Sequence, residues 1–178
     1  MTLLAFDTSM AACSAAVWRD GVVARRFQAM SRGHAEALFP MIREVMAEAG
    51  VCFADLRAIA VTRGPGSFTG VRVGVAAARG LALAADKPVI AATSLEVIAH
   101  GAVQRLTPEQ AREPFVVAMD ARRGELYCQQ FAGGRAVSDA QALSPEDCGH
   151  TMPHEACIAV GSGAPLLARA AGPDRRVI

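Results

Sequence analysis

Lysine is almost missing from this chain: Lys87 is the only one among 18 basic residues, and the others are arginines. The formal net charge is only +1. Because the charge is nearly balanced, there is no overall electrostatic attraction toward nucleic acid, although arginine patches can still form locally. The composition therefore argues against a strongly basic nucleic-acid-binding protein.

Paired cysteines are missing too. The chain has five cysteines, an odd number, scattered and without a Cys-x-x-Cys pair. This pattern favours reduced thiols over a disulfide framework or a redox motif, and predicts a cytoplasmic protein.

Long apolar runs are also lacking, since the longest, residues 71–85, contains Arg72 and Arg79. No basic segment precedes the first apolar run. We therefore predict neither a signal peptide nor a membrane span.

Apolar residues are nevertheless abundant, at 52% of 178 residues with a mean hydropathy of +0.27. A chain of this length and composition folds into one substantial core or two small ones. We expect a compact folded protein.

Hydrophobic periodicity predicts an alternating α/β first half. Strands are expected at 3–6, 13–18, 22–27, 56–62 and 89–92, and helices at 34–49, 71–85 and 94–103. Gly50 is the expected end of the first helix, and Pro40 is expected to kink it or to mark its true start. The predicted order is βββαβαβα.

The second half repeats the opening pattern: a strand at 115–119, a bend at Asp120, a strand at 125–131, a Gly133-Gly134 turn and a strand at 135–137. It then degenerates into loop before a last strand at 157–160, a glycine turn and a helix. This repeat predicts two related domains, 1–104 and 105–178, with Asp7 and Asp120 as equivalent carboxylates.

The segment 63–72, Arg-Gly-Pro-Gly-Ser-Phe-Thr-Gly-Val-Arg, joins a strand to a helix. It lacks the Lys-Ser/Thr pair of a Walker A loop, and its glycine spacing misses the dinucleotide fingerprint. Three interpretations stay open: an anion site at a helix N-terminus, a structural turn, and a turn shaped for a protein partner.

A nucleotide or anion cleft with a metal-bound phosphate is one hypothesis for the polar strand ends. The alternative is local capping, because an Asp-Thr-Ser turn bonds to its own backbone without a ligand. The cleft set is Asp7, Thr8, Ser9, Gly66, Ser67 and Asp120.

Two helices carry more apolar or small residues than one sheet face requires, which favours a helical subunit interface over ordinary packing. The alternative is packing on the chain's own sheet. The interface set is Leu38, Phe39, Met41, Ile42 and Val45 on the first helix, with Gly70, Gly74 and Ala78 on the second.

The chain's only cluster of histidine and cysteine is Cys148, His150, His154 and Cys157, and its spacing fits no common zinc site. No nucleophile, base and orienting acid can be assembled from the sequence. We predict no metal site and no catalytic residues.

These motifs closely resemble the bacterial TsaB family, formerly YeaZ, a subunit of the machinery that makes threonylcarbamoyladenosine beside the anticodon of tRNA. The match is nearly chain-long and is carried by segments 6–9, 38–42, 63–74, 93–96 and 120–127, together with His34.

The resemblance implies an actin-like ATPase, RNase-H-like fold with two tandem domains, the second reduced or truncated because the family is expected to continue beyond Ile178. It also implies a non-catalytic subunit that binds the catalytic paralogue TsaD and the ATPase TsaE. A homodimer is expected when the chain is alone, with tRNA reached through the complex and ATP and Mg²⁺ in the assembled complex only.

The resemblance further implies that the paralogue's metal-binding histidines are absent here, since residues 93–98 contain none and His100 stands alone. Two alternatives stay open: an actin-like ATPase using Asp7 and Asp120, and a glycoprotease-like hydrolase acting on its own.

Overall fold

A computed structural model describes residues 1–152 and 157–170. The chain divides into two compact units, Met1–Ser94 and Leu95–Ile178. This division falls just after Ser94, the first residue of the helix at 94–103, whereas the predicted boundary at residue 104 falls after the whole helix. The rest of the helix is grouped with the second unit, where a Cβ added at Gly134 would lie 3.7 Å from the Val103 Cγ2.

The first unit has the predicted order βββαβαβ. Its elements are β1 (Thr2–Met10), β2 (Ala12–Arg19), β3 (Val22–Ala29), α1 (His34–Glu48), a 3₁₀ turn (Phe53–Asp55), β4 (Ala58–Thr62), α2 (Phe68–Ala85) and β5 (Val89–Ala92). Helix α3 (Ser94–Val103) follows. The sheet order is β3-β2-β1-β4-β5, antiparallel from β3 to β1 and parallel from β1 to β5.

Local signals explain these elements. Asp20 and Gly21 take positive φ values of 55° and 145° in the β2–β3 hairpin, and Gly50, at φ 61°, follows the end of α1. Pro40 lies inside α1, which begins at His34. The alternative that Pro40 marks the start of the helix was therefore wrong.

The second unit repeats this sheet on a smaller scale. Its elements are α4 (Pro108–Arg112), β6 (Phe115–Arg122), β7 (Glu125–Ala132), β8 (Arg135–Ala136), β9 (Gln141–Leu143), α5 (Pro145–Thr151), β10 (Ala159–Val160) and α6 (Ala164–Ala170). The order is β10-β6-β7-β8, with β9 also paired to β7. Strand β10 runs parallel to β6, as β4 runs parallel to β1.

Each unit has its own core. Leu4, Leu38, Val45 and Ile59 are fully buried in the first, and Leu126 and Leu167 in the second. Helix α2 is the one helix of the described residues that is long and apolar enough to cross a membrane by length and composition, a test that core helices also pass. Its Gly74 and Ala78 face contributes to the first core.

Candidate functional site

The Asp7 carboxylate is held by two donors at the end of β1. Its Oδ1 accepts a hydrogen bond from the backbone N–H of Ser9 at 2.7 Å and a second, short one from the Thr62 hydroxyl. Thr62 ends β4, the parallel neighbour of β1. The side chain therefore makes the local capping bond that the sequence offered as the alternative to a ligand-binding role.

Thr8 and Ser9 are buried, with exposed fractions of 1% and 0%. The Thr8 hydroxyl donates to the carbonyl oxygen of Gly70 at 2.7 Å. The Ser9 hydroxyl lies 2.9 Å from that of Ser94, and the Ser9 carbonyl accepts from the Ser67 N–H at 2.7 Å. Both residues thus join the end of β1 to the segment 63–72, called the glycine loop from here on, and to the start of α3.

The glycine loop is pressed against the backbone of β1. A Cβ atom on Gly66 would overlap the Ser9 carbonyl oxygen, and one on Gly70 would overlap that of Thr8. Ser67 caps α2 by accepting a hydrogen bond from the Gly70 N–H at 3.4 Å. These contacts account for Gly66, Gly70 and Ser67 by close packing within the first unit, and binding of an anion here stays a prediction.

The small-residue face of α2, with Gly70, Gly74 and Ala78, packs on its own sheet, which is the alternative to a partner interface that the sequence left open. A Cβ on Gly74 would lie 2.7 Å from the Thr8 Oγ1 and 3.4 Å from the Val61 Cγ2. Ala78 has no exposed surface. A bulky residue at position 74 would therefore strain the fold itself, before any effect on association.

The Thr8 hydroxyl gives the site a direct stability test. Thr8→Val keeps the shape of the side chain but removes the donor to Gly70, so we expect a loss of about 1–2 kcal/mol in the free energy of unfolding. Thr69→Val, on the exposed first turn of α2, is the matched control. Urea unfolding followed by circular dichroism measures both, and equal effects would contradict a specific role for the buried hydroxyl.

The second unit builds the same arrangement around Asp120. Its Oδ1 accepts from the Arg122 N–H at 2.7 Å, two residues on, as Asp7 accepts from Ser9. A Cβ on Gly161 would overlap the Ala118 carbonyl oxygen, and the Gly163 N–H donates to that oxygen at 2.9 Å. The two carboxylates thus share one local hydrogen-bond pattern, and the second unit also has a glycine turn packed on its own first strand.

Most of the predicted interface residues of α1 are buried in the core of the first unit. Leu38 and Val45 have no exposed surface, and Met41 and Ile42 retain only 7% and 2%. They pack in the first core because the apolar period of α1 faces its own sheet. Phe39 differs, since 52% of its surface is exposed.

Phe39 lines an apolar groove of about 620 Å³ beside α1. Sequence reasoning missed the residues that share it, because they come from α1, the 3₁₀ turn and α2, which are separated along the chain. Its other lining residues are Pro40, Ile42, Arg43, Met46, Ala47, Val51, Cys52, Phe53 and Leu81.

No group of three or more histidine, cysteine or acidic side chains suited to a metal occurs within residues 1–152 and 157–170. Of the histidine and cysteine cluster considered from the sequence, His154 lies outside the described residues. The His34 Nε2 lies 2.9 Å from the carbonyl oxygen of Met10, the last residue of β1.

Comparisons with known proteins agree on one family. The family model for the tRNA N6-adenosine threonylcarbamoyltransferase TsaD matches residues 21–148. The tRNA threonylcarbamoyladenosine biosynthesis protein TsaB of Escherichia coli is 40% identical over 131 residues, covering 74% of this chain and 55% of that protein. TsaB of Haemophilus influenzae is 37% identical over 175 residues, covering 92% of this chain and 72% of that protein. The chain thus spans little more than half the length of the first of these relatives.

Solved structures support the same fold. YeaZ from Pseudomonas aeruginosa superposes with a TM-score of 0.83 at 37% identity, covering 99% of this chain and 82% of that one. A polyphosphate/ATP-glucomannokinase from Arthrobacter superposes with a TM-score of 0.55 at 11% identity, a likeness of fold alone. The chain has the actin-like, RNase-H-like fold that its family resemblance implied.

Proposed function

Because this chain belongs to the TsaB family, we propose that it is a non-catalytic subunit of the complex that forms threonylcarbamoyladenosine next to the anticodon of tRNA. In this role it binds and activates the catalytic paralogue TsaD, and a TsaE-like ATPase joins them. The observation that carries the proposal is the apolar groove beside α1, which belongs to no polar or catalytic site of the first unit.

The groove has the character of a protein-binding surface. Phe39 and Phe53 present apolar rings to it, with 52% and 38% of their surfaces exposed, and Arg43 supplies a charged side chain. Interfaces are enriched in aromatic residues and arginine around a desolvated centre. We propose that the paralogue docks on the outer face of α1 and this groove, which Phe39 and Ile42 of the predicted interface set line, and not on Leu38 or Val45, which have no exposed surface.

The polar groups near Asp7 support a structural role for that region. The Thr8 hydroxyl, the Ser9 hydroxyl and the Ser67 N–H are all engaged within the first unit. A nucleotide would have to compete with these bonds. We therefore assign ATP and Mg²⁺ to the assembled complex and tRNA contact to the complex as a whole, with the cytoplasm as the location.

The proposed function is tested by measuring whether the chain binds the paralogue. Purified chain and TsaD-like paralogue are mixed and run on a sizing column. Ala47→Glu places a larger, charged side chain in the apolar groove, at an exposed helical position where glutamate is well tolerated. We expect affinity to fall at least about tenfold, which corresponds to about 1.4 kcal/mol.

Ala29→Glu is the matched control, because Ala29 is exposed at the end of β3 and does not line the groove. It should leave co-elution unchanged. The proposal fails if the unaltered chain does not co-elute with the paralogue, and the assignment of the surface fails if both variants bind equally well. The chain alone on the same column tests the expected homodimer.

A further inference from the structure

Three of the five cysteines lie in the core of the second unit, whereas the surface proposed for the paralogue belongs to the first unit. They are Cys128 on β7, Cys148 on α5 and Cys157 just before β10, with exposed fractions of 5%, 1% and 3%. All three are free thiols that belong to one core cluster. The proposed function uses none of them.

Cys128 and Cys148 belong to one buried cluster, and both side chains line the same cavity of about 190 Å³. The interaction between their side chains is the largest influence on the pKa of each thiol. The Cys148 N–H donates to the Ser144 carbonyl at 2.9 Å, and Cys128 pairs with Gln141 of β9. Each of the two cysteines is thus fixed by regular backbone structure beside the shared cavity.

The cavity provides access for a small neutral oxidant. Its other walls are mostly polar and include Gln129, Gln130, Ser138, Asp139 and Thr151. A water molecule occupies about 30 Å³ of liquid, so the cavity has room for a molecule of the size of hydrogen peroxide. The Asp139 carboxylate disfavours anionic reagents.

The two thiols differ chemically. The hydrogen bond from Cys148 lowers the pKa of Cys128 below its usual value, although burial acts in the opposite direction. The same contact, followed by burial, raises the pKa of Cys148. Because the thiolate is the nucleophile in thiol oxidation, Cys128 is the thiol that reacts first.

We propose that Cys128 and Cys148 form a reversible oxidation site, in which a small hydroperoxide converts the thiol pair into a disulfide that joins β7 to α5. The Cys128 sulfur attacks one peroxide oxygen, the O–O bond breaks, and the leaving oxygen takes a proton and departs as water. Cys128 is then a sulfenic acid. The Cys148 sulfur attacks the Cys128 sulfur, gives up its proton, and the S–O bond breaks to release a second water. Two thiols and one hydrogen peroxide thus give one disulfide and two waters.

Cys157 is the competing partner for Cys148. Burial raises the pKa of the Cys157 thiol, and that thiol donates to the carbonyl oxygen of its neighbour Ile158 at 3.5 Å. It does not line the cavity that reaches Cys128 and Cys148. The structure therefore favours the pair of Cys128 with Cys148.

Mass spectrometry of the folded full chain tests the site. The protein is treated with equimolar hydrogen peroxide, blocked with N-ethylmaleimide and cleaved after arginine and glutamate. Cleavage after Glu155 separates Cys148 from Cys157. We expect a linked pair of peptides containing Cys128 and Cys148, about 2 Da lighter than the two reduced peptides together, that a thiol reductant separates.

Two matched variants sharpen the test. Cys148→Ser should abolish the link and leave a sulfenic acid at Cys128 that dimedone captures, whereas Cys157→Ser should keep the link. The result on the unaltered chain decides the proposal even if a variant does not fold. A link between Cys148 and Cys157, or oxidation confined to the exposed Cys52, would overturn it.

Discussion

Replacing Gly70 with alanine is expected to destabilise the first unit severely. The added Cβ would overlap the carbonyl oxygen of Thr8, and it would lie 3.1 Å from the Thr8 carbonyl carbon. Both obstacles are backbone atoms of β1, a central strand, so no flexible side chain can move aside. We expect a loss of about 3–5 kcal/mol in the free energy of unfolding, at the upper end for a single methyl group.

Gly80→Ala is the matched control in the same helix. A Cβ at position 80 would meet nothing within 4 Å. Because alanine is the better helix former, this variant should gain about 0.5–1 kcal/mol. Urea unfolding followed by circular dichroism compares the two variants directly. If Gly70→Ala matched the stability of Gly80→Ala, the close approach of α2 to β1 would be wrong.

The sequence predicted the strands and long helices of the first unit because their signals are local. Alternating residues and the Asp20-Gly21 turn define the hairpin, and the apolar period of 34–49 defines α1. In the second unit, α4 and α5 were missed within segments interpreted as connector and loop. Their caps were present in the sequence: Thr107 with Gln110, and Ser144 followed by Pro145. Helices of five and seven residues are too short for a helical period of apolar residues to be recognised in the sequence.

The contacts of the glycine loop could not be predicted from its own residues. Glycine at 66 and 70 indicates a close approach, but the atoms that approach belong to Ser9 and Thr8, more than fifty residues earlier in the chain. Only the pairing of β1 with β4 brings them together. Close packing against a partner helix and close packing against the chain's own strand require the same pattern of small residues. The interface hypothesis therefore chose residues that the fold buries.

The apolar face of α1 presents the same ambiguity. A helical period shows that one face is apolar, and it does not show which neighbour covers that face. Leu38 and Phe39 are adjacent in the sequence and were both assigned to the interface. The structure separates them, with Leu38 fully buried in the first core and Phe39 half exposed in the groove.

This separation gives the second prediction of large effect, a comparison of Leu38→Ala with Phe39→Ala. Leu38→Ala removes buried methyl groups and leaves a cavity, so we expect a loss of about 2–5 kcal/mol in the free energy of unfolding. Phe39→Ala removes a ring that is 52% exposed, so its effect on folding should be below about 1 kcal/mol. Alanine has a high helix propensity at both positions, so differences in helix propensity do not account for the expected difference between the variants.

The order of the two effects should reverse when binding to the TsaD-like paralogue is measured, with the larger loss now in the Phe39 variant. Truncation of a hot-spot residue costs about 2 kcal/mol or more of binding free energy, so with Phe39 as the aromatic anchor, Phe39→Ala should weaken binding to the TsaD-like paralogue by at least about tenfold. Leu38→Ala should bind almost normally at a temperature where it stays folded, because Leu38 has no surface to offer a partner. Calorimetric titration of the paralogue into each folded variant measures this. If the Leu38 variant lost affinity and the Phe39 variant kept it, the partner would reach the core face of α1, and the groove would not be the binding surface.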